Sequence, residues 1–249
     1  MLSDLINGRR AETVGDAVEI MTGLDRSLAD ADGLKWFNRL YLQVTLAVQD
    51  AVTTSTFRDP AFLAALDVVF ANLYFDAVAA GDAEPSRAPS AWRPLFECRR
   101  NAGILPIQFA LAGMNAHINR DLPHGIVETY RLTDGAPEHG GTRHSDFTRV
   151  NDLLETVEDQ IRPEFSTGVV MLVDVACGEA DDVIAMWKVR AARAAAWTNA
   201  EVLWALRSAP TLSQAFFSRL DSFTGFAGRG LLVPAGRLTK SNRGVYAND

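Results

Sequence analysis

Two side chains that could do chemistry together lie one helical turn apart in the middle of the chain, His117 and Asp121. A spacing of four residues puts both on one face of a helix. They continue an apolar stripe through Ala110 and Met114, so both should point into the protein. Such a pair could hold a divalent metal, or the carboxylate could fix the tautomer of a catalytic imidazole. The bland alternative is a buried hydrogen-bonded pair that only closes a helix end.

All four histidines fall between residues 117 and 144, and one of them could join this pair. His144 and Asp146 form a His-x-Asp pair at the predicted start of the next helix, where they could approach from the loop side. In the alternative interpretation, Asp146 is an N-cap and His144 a solvated loop residue. We predict a divalent-metal site for Zn, Mn or Fe with the ligands His117, Asp121, His144 and Asp146, of which the first three would be catalytic.

Polar side chains that interrupt apolar helical stripes are the predicted contacts to a substrate. Buried amides and carboxylates need partners, because an unpaired one costs about 1–3 kcal/mol, so each could also belong to a structural network. On an alanine-rich later helix, Arg190 and Glu201 could form an ion pair or belong to an aromatic-walled pocket with an anchoring cation. The predicted substrate-binding residues are Asn38, Asn72, Asp76, Trp187, Arg190, Trp197 and Glu201.

The composition disfavours nucleic acid and membrane as partners. Hydrophobic residues make up 48% of the 249 residues and charged residues 22%, which suits a globular chain with a sizeable core. The net charge of −7 disfavours both nucleic acid and anionic lipid. No apolar stretch of signal-peptide length opens the chain, and the run from Val169 to Cys177 is shorter than the roughly 18 residues of a membrane span. We expect a cytoplasmic protein in which Cys98 and Cys177 are free thiols.

Helical periodicity recurs along the chain, without a convincing strand pattern. We predict an all-α, single-domain, multi-helix bundle of about eight or nine helices over residues 1–249. Its core would cover 34–227, followed by an irregular tail over 228–249. Two long loops are predicted near 81–103 and 134–144, and loops of this length are often functional.

Local signals place the individual helices. Thr13 with Asp16 is a capping-box pattern before a helix over 14–24, and Asp59 before Pro60 marks another helix start. Pro123 predicts a break or kink. Further helices are predicted from about 34, over 106–121, from 145 or 146, over 164–177, over 181–207, and from a Thr211–Gln214 capping box to about 226.

Six segments combine into a recognisable set: FNRLYLQVT (37–45), DVVFANLYFDA (67–77), PIQFALAGMNAHINRDLP (106–123), HSDFTRVNDLL (144–154), AAWTNAEVLWALR (195–207) and FAGRGLLVP (226–234). Together they resemble a helical family of high-GC bacteria, domain of unknown function 5995, over about residues 34–234. The most specific element is GMNAHINRDLP. The resemblance implies a helical domain and brings no established activity. It implies that the recurring polar positions of the family match Asn38, Asn72, Asn115, His117, Asn119, Asp121, His144 and Asn151.

Two classes of function fit these residues. The first is a small-molecule enzyme with a His/Asp centre in an apolar helical pocket, either a metal-dependent hydrolase or a metal-free acid–base cyclase, lyase or isomerase that tailors a hydrophobic secondary metabolite such as a polyketide. The second is a non-catalytic helical module that binds a hydrophobic ligand or forms a homodimer. The expected ligand is a small hydrophobic or carboxylate-bearing molecule. No phosphate-binding loop or dinucleotide fingerprint is present, so no nucleotide cofactor is expected.

Overall fold

Helices form almost all of the structure, a computed structural model that describes residues 2–6, 8–54, 57–157 and 189–234. These residues contain no strand, so the predicted all-α class is confirmed. A π-helical segment, His117–Asp121, joins two of the helices, and short 3-10 segments occur at Pro85–Arg87 and Leu206–Ser208. The α-helices are α1 (Leu2–Ile6), α2 (Val14–Ser27), α3 (Gly33–Thr53), α4 (Pro60–Ala83), α5 (Arg93–Cys98), α6 (Pro106–Ala116), α7 (Leu122–Leu132), α8 (142–157), α9 (Val189–Ala205) and α10 (Pro210–Leu231).

Two of the predicted helix starts are confirmed in detail. The Thr13 side chain accepts a hydrogen bond from the backbone of Asp16, whose carboxylate accepts one from Thr13 in return, so the capping box of α2 is complete. Asp59 caps α4 through the backbone N–H of Phe62, with Pro60 at the first helical position, where its missing N–H is not needed. Local capping chemistry therefore fixes both starts.

The predicted loop over 81–103 is wrong in large part. Helix α4 continues to Ala83, and a 3-10 turn at Pro85–Arg87 and helix α5 occupy much of what remains. Pro85 and Pro94 stand in the first turns of these two elements, a position that tolerates proline, so the prolines start structure here instead of interrupting it.

The C-terminal predictions need two corrections. No side chain caps α10, which begins at Pro210, and the Gln214 amide donates to Ser218 instead of completing a capping box. The helix also passes the predicted end near 226 and reaches Leu231, because its last turns pack against α6 and the segment before α5. A Cβ at Gly225 would lie 2.3 Å from the carbonyl oxygen of Ser90, so only glycine permits this approach. The predicted helix over 164–177, the first part of 181–207 and the tail beyond 234 lie outside the described residues.

Helix α4 is the centre of the core and packs against α1, α2, α3 and α7. It is long and apolar enough to cross a membrane by length and composition, but 56% of that window is buried inside the protein, as in the core helix of a globular fold. Its buried aromatic residues meet those of α3 and the segment before α5. This aromatic cluster surrounds His117 and consists of Phe37, Tyr41, Phe70, Tyr74 and Trp92.

Candidate functional site

The predicted pair of His117 and Asp121 points into the core, as expected from the stripe. Atom Nδ1 of His117 lies 3.1 Å from Oδ2 of Asp121, and the two side chains are 3% and 0% exposed. They begin and end the π-helical segment, in which the backbone N–H of Leu122 donates to the carbonyl of His117. The wider π turn lies directly before Pro123, whose ring would clash with the carbonyl four residues back in an α-helix. The chain therefore continues as a helix where a break or kink was predicted, and π segments of this kind often mark functional sites.

The Asp121 carboxylate is held from three sides. Its Oδ2 atom also accepts a hydrogen bond from Trp92 Nε1 at 2.8 Å, and its Oδ1 atom accepts one from Arg120. Burial alone would raise the pKa of Asp121, but the hydrogen bond from His117 and the charge of Arg120 outweigh burial and lower the pKa. Asp121 is therefore an ionised and fixed acceptor for the imidazole.

A second carboxylate holds this arrangement in place. Asp221, on α10, accepts a hydrogen bond from Arg120 Nε at 3.0 Å and two from the backbone N–H groups of Ser90 and Ala91, each also at 3.0 Å. These contacts tie α10 to the segment that carries Trp92. Asp221 therefore positions two of the groups that bind Asp121, although it does not touch the imidazole itself.

The free nitrogen of His117 is the most unusual atom of the site. Because Nδ1 faces an ionised carboxylate, the proton of the neutral ring belongs on Nδ1, and Nε2 carries the lone pair. Nε2 is buried and has no hydrogen-bond partner among the described residues. Burial lowers the pKa of His117 more than the hydrogen bond and charge of Asp121 raise it, so the net shift is downward. At neutral pH His117 is a neutral base with an unused lone pair.

A pocket of about 480 Å³ opens beside this imidazole. That size lies within the range of about 300–1,000 Å³ found for small-molecule sites. The part of its wall that contacts His117 includes Tyr41, whose ring centroid lies 4.4 Å from that of the imidazole. The remaining apolar wall comes from α3, α6, the π segment, α8 and α9, through Leu40, Val44, Met114, Ile118, Leu154, Val157, Val189, Ala191 and Ala194.

Two more buried polar atoms lie unpaired in this region. The Tyr41 hydroxyl has no hydrogen-bond partner of good geometry within the described part of the chain. Burial raises the pKa of Tyr41 well above its usual value, and the nearby charges of Asp67 and Asp121 raise it further. The side chain of Thr45 is close enough to oppose this rise in part, but the phenol stays protonated. Oδ2 of Asp67 is also buried without such a partner, and burial raises the pKa of Asp67 to about 7. Unpaired buried polar groups are rare in native structures and call for a cause.

Two arginines of α9 also line the pocket. Arg193, on α9, is buried and donates from Nε to Asn151 Oδ1 at 2.8 Å and from Nη2 to the carbonyl of Phe147 at 2.9 Å. Arg190, one turn earlier, is exposed and pairs with Glu155 at 2.6 Å and Asp152 at 3.2 Å. The pocket wall thus contains an imidazole, two guanidinium groups and many apolar side chains.

His144 and Asp146 do not join the site, which corrects the predicted four-ligand grouping. Asp146 Oδ2 accepts hydrogen bonds from the backbone N–H groups of Arg58 and Asp59, at the start of α4. His117 stacks on Phe70, about 15 Å further along that helix at 1.5 Å per residue. The His144 ring instead packs near His139 and Trp197. Asp146 also does not cap its own helix, since α8 begins at residue 142.

The predicted ligand-binding residues on α3 and α4 have structural partners. Asn38 is fully buried, donating to the carbonyl of Met21 and accepting from the Tyr74 hydroxyl. Asn72 binds both the N–H and the carbonyl of Ala11. Asp76 was expected to continue a buried face but is exposed, because it points away from the core beside Arg10. These three side chains do not line the pocket.

Of the predicted ligand-binding residues on α9, Arg190 lines the pocket, whereas Trp197 and Glu201 do not. Trp197 is buried among Tyr130, His144 and Phe147, away from the pocket. The Arg190–Glu201 ion pair is absent from the described structure, since Glu201 binds His139 at 3.1 Å and Arg190 binds the two carboxylates of α8. Arg190 does line the pocket, as the anchoring-cation alternative required. Trp187 lies outside the described residues.

The predicted metal ligands His117 and Asp121 are largely engaged with other groups. Oδ2 of Asp121 faces both Trp92 and Nδ1 of His117, Oδ1 accepts one hydrogen bond from Arg120, and Nε2 of His117 has no partner among the described residues. No group of three or more His, Cys, Asp or Glu side chains within the described ranges is arranged to hold a metal. The pair instead has the geometry of an imidazole oriented by a carboxylate.

Sequence reasoning missed several residues of the site. Asp67 and Arg193 each left a signal, because Asp67 lies on the stripe of Leu66 and Phe70, and Arg193 lies one turn before the buried Trp197. Arg190, one turn earlier on the same helix, was named from the sequence, and Arg193 was left out. Trp92 and Asp221 left no such signal, since their contacts to the site depend on how distant segments pack.

The chain belongs to the family described as "Family of unknown function (DUF5995)", whose family model matches residues 14–234. This match confirms the family resemblance seen in the sequence. No curated protein and no solved structure matches the chain. Two of the polar positions from the resemblance do not line the pocket: Asn115 donates to the carbonyl of Thr224 on α10, and Asn119 donates to Asn115.

Proposed function

We propose that this protein is a small-molecule enzyme that works without a metal. His117, oriented by Asp121, would act as the general base on an apolar substrate. One observation carries the proposal: Nε2 of His117 is buried at an apolar pocket with its lone pair unpaired, while Nδ1 is held by an ionised carboxylate. An unpaired buried acceptor costs about 1–3 kcal/mol of stability, and a ligand that donates a hydrogen bond or a proton to Nε2 would remove this cost.

The geometry supports proton transfer from a carbon or hydroxyl group of the ligand. Nε2 of His117 would take the proton, and Asp121 would stabilise the imidazolium that forms. The protonated Tyr41 hydroxyl, on the same wall, could donate a hydrogen bond to negative charge that develops on the substrate. The imidazolium then returns the proton to a different atom, in an isomerisation or cyclisation, or to a leaving group, in an elimination. The natural reaction would belong to one of these three classes.

Kemp elimination of 5-nitrobenzisoxazole tests the base without knowledge of the natural substrate. The base removes the C3 proton, the N–O bond breaks, and the product is 2-cyano-4-nitrophenolate, which is followed by its absorbance. We expect saturable turnover, and His117→Gln should slow it by about 100-fold or to background. The rate should rise with pH through an apparent pKa below 6.5, because the neutral imidazole is the active form and its pKa is lowered.

Two controls separate this reaction from others. His139→Gln removes an exposed imidazole outside the pocket and should leave the rate unchanged. Chelator dialysis should also leave the rate unchanged, whereas near-stoichiometric Zn, Mn or Fe in untagged protein together with chelator-sensitive turnover would favour the metal-dependent hydrolase. A wild-type rate no higher than that of His117→Gln would end the proposal and leave the non-catalytic binding module.

A further inference from the structure

Arg193 is a buried cation that has no carboxylate partner among the residues that the structure describes. It is 7% exposed, and its hydrogen bonds go to a side-chain amide, that of Asn151, and to the backbone carbonyl of Phe147. No acidic side chain pairs with it among the described residues. Nη1 of Arg193 also lacks a hydrogen-bond partner within that part of the chain.

Two other arginines of low exposure in the described part of the chain are neutralised by carboxylates. Arg99 contacts Asp32 and Asp82, and Arg120 contacts Asp121 and Asp221. A buried charge is costly unless it is paired, so the burial of Arg193 without a carboxylate needs a reason. Burial lowers the pKa of Arg193 to about 9, which still leaves the guanidinium charged at neutral pH. Arg193 therefore brings to the wall of the pocket a positive charge that no described carboxylate neutralises.

We propose that the pocket binds an apolar carboxylic acid whose carboxylate pairs with Arg193 while its apolar body lies against the walls toward His117. This inference deepens the proposed function by naming its substrate class. It rests on that function in placing the reacting atom of the substrate near His117. The guanidinium plane lies over Phe147, with Cζ 4.1 Å from the ring centroid, and the bonds to Asn151 and Phe147 fix its orientation. A fixed guanidinium is well suited to a planar carboxylate.

Arg190 is the weaker candidate for this anchor, although the sequence pointed to it. It lines the same pocket, but it is exposed and two carboxylates of α8 already neutralise it. An anion gains most from a cation that lacks competing partners and lies away from water. The anchor is therefore expected one turn further along α9.

Calorimetric titration of the wild-type protein with matched ligands tests the proposal without any mutation. The probes are hexanoate, decanoate and 2-naphthylacetate, each compared with its neutral primary amide at pH 7. We expect at least one acid to bind at least about tenfold more tightly than its amide, because a charge-assisted pair replaces a neutral contact. Equal affinities of acid and amide, or no binding of any of the three acids, would overturn the proposal.

Variants then assign the preference to one side chain. Arg193→Gln should reduce the acid-over-amide preference to about threefold or less, and Arg193→Lys should recover part of it by restoring the charge. Arg190→Gln is the matched control, because it removes a neutralised guanidinium from the same pocket, and it should change the preference less than threefold. A preference that persists in a folded Arg193→Gln protein, or one that Arg190→Gln abolishes, would show that the anchor is wrong.

The two proposals can fail separately. If acids bind preferentially but wild type and His117→Gln have equal Kemp rates, the carboxylate anchor stands and the general base is wrong. If Kemp turnover depends on His117 but acids and amides bind equally, the base stands and the substrate class is wrong.

Discussion

The rings of His117 and Phe70 lie parallel, with an interplanar angle of 6° and centroids 3.4 Å apart. Phe70 covers one face of the imidazole, and the hydrogen bond from the imidazole to Asp121 fixes the rotation of the His117 ring within its own plane. The direction of the Nε2 lone pair is thus determined before any ligand binds, and preorganisation of this kind is where catalytic groups gain most of their advantage.

Replacing Asp121 should lower the pKa of His117 further. The hydrogen bond and charge of Asp121 raise the imidazole pKa against the larger effect of burial, so in Asp121→Asn burial acts with less opposition. NMR titration of the His117 ring, assigned by its loss in His117→Gln, measures the change. A pKa that stays the same or rises in Asp121→Asn would contradict the geometry described here.

Removing Asp221 should damage the site from a distance. Asp221→Ala leaves Arg120 and two backbone N–H groups without their acceptor, so we expect a loss of about 2–4 kcal/mol in the free energy of unfolding and a slower Kemp reaction. Asp76→Ala is the matched control, since that exposed aspartate has a single ion-pair contact of 3.5 Å, and it should change stability by less than about 0.5 kcal/mol. Urea unfolding compares the two, and similar effects would refute the positioning role.

A methyl group at Gly113 should disturb the aromatic cluster. A Cβ there would lie 2.3 Å from Cγ of Phe37, whose ring contacts both His117 and Trp92. We expect Gly113→Ala to cost about 1–3 kcal/mol of unfolding free energy, whereas Gly23→Ala, at a helical site with nothing within 4 Å, should gain about 0.4–1 kcal/mol. Thermal and urea unfolding give both values, and a neutral or stabilising Gly113→Ala would show that α3 and α6 can separate at little cost.

Asp67 should make the protein less stable as the pH rises. Its folded pKa of about 7 lies above the model-peptide value of 3.8, so between these values the folded state holds a proton that the unfolded state has lost. Stability therefore falls as pH rises through this window and levels off above pH 7. Relative to wild type, Asp67→Asn should gain about 1–3 kcal/mol more at pH 8 than at pH 5. Urea unfolding at both pH values checks this, and a constant difference would mean that Asp67 does not titrate in the window.

The parts of the fold that local chemistry decides could be predicted from the sequence. The starts of α2 and α4 follow from Thr13, Asp16 and Asp59, and the inward His117–Asp121 pair follows from a four-residue spacing on an apolar stripe. The prediction of a long loop over 81–103 was wrong because prolines that start a helix resemble prolines in a loop until the packing is known.

The rest of the site depends on tertiary contacts that no spacing reveals. Asp146 binds backbone N–H groups 87 and 88 positions earlier in the chain, and Trp92 reaches Asp121 across 29 positions. Spacing also does not say which turn of a helix is covered by its neighbours. On α9 the sequence pointed to Arg190, although Arg193, one turn further along, is the one buried.

Asn72 joins the N-terminal segment to the central helix through both atoms of its amide, accepting from Ala11 at 3.0 Å and donating back to it at 2.9 Å. The family match begins only at residue 14, so these two hydrogen bonds join a residue before the match to a residue within it. A shortened protein that started at residue 14 would leave the buried Asn72 amide without its hydrogen-bond partner. It would also expose the surface of α4 that now packs against α1, which carries the buried Leu2 and Ile6. The smallest stable unit for crystallisation or binding studies therefore has to include the residues before the match.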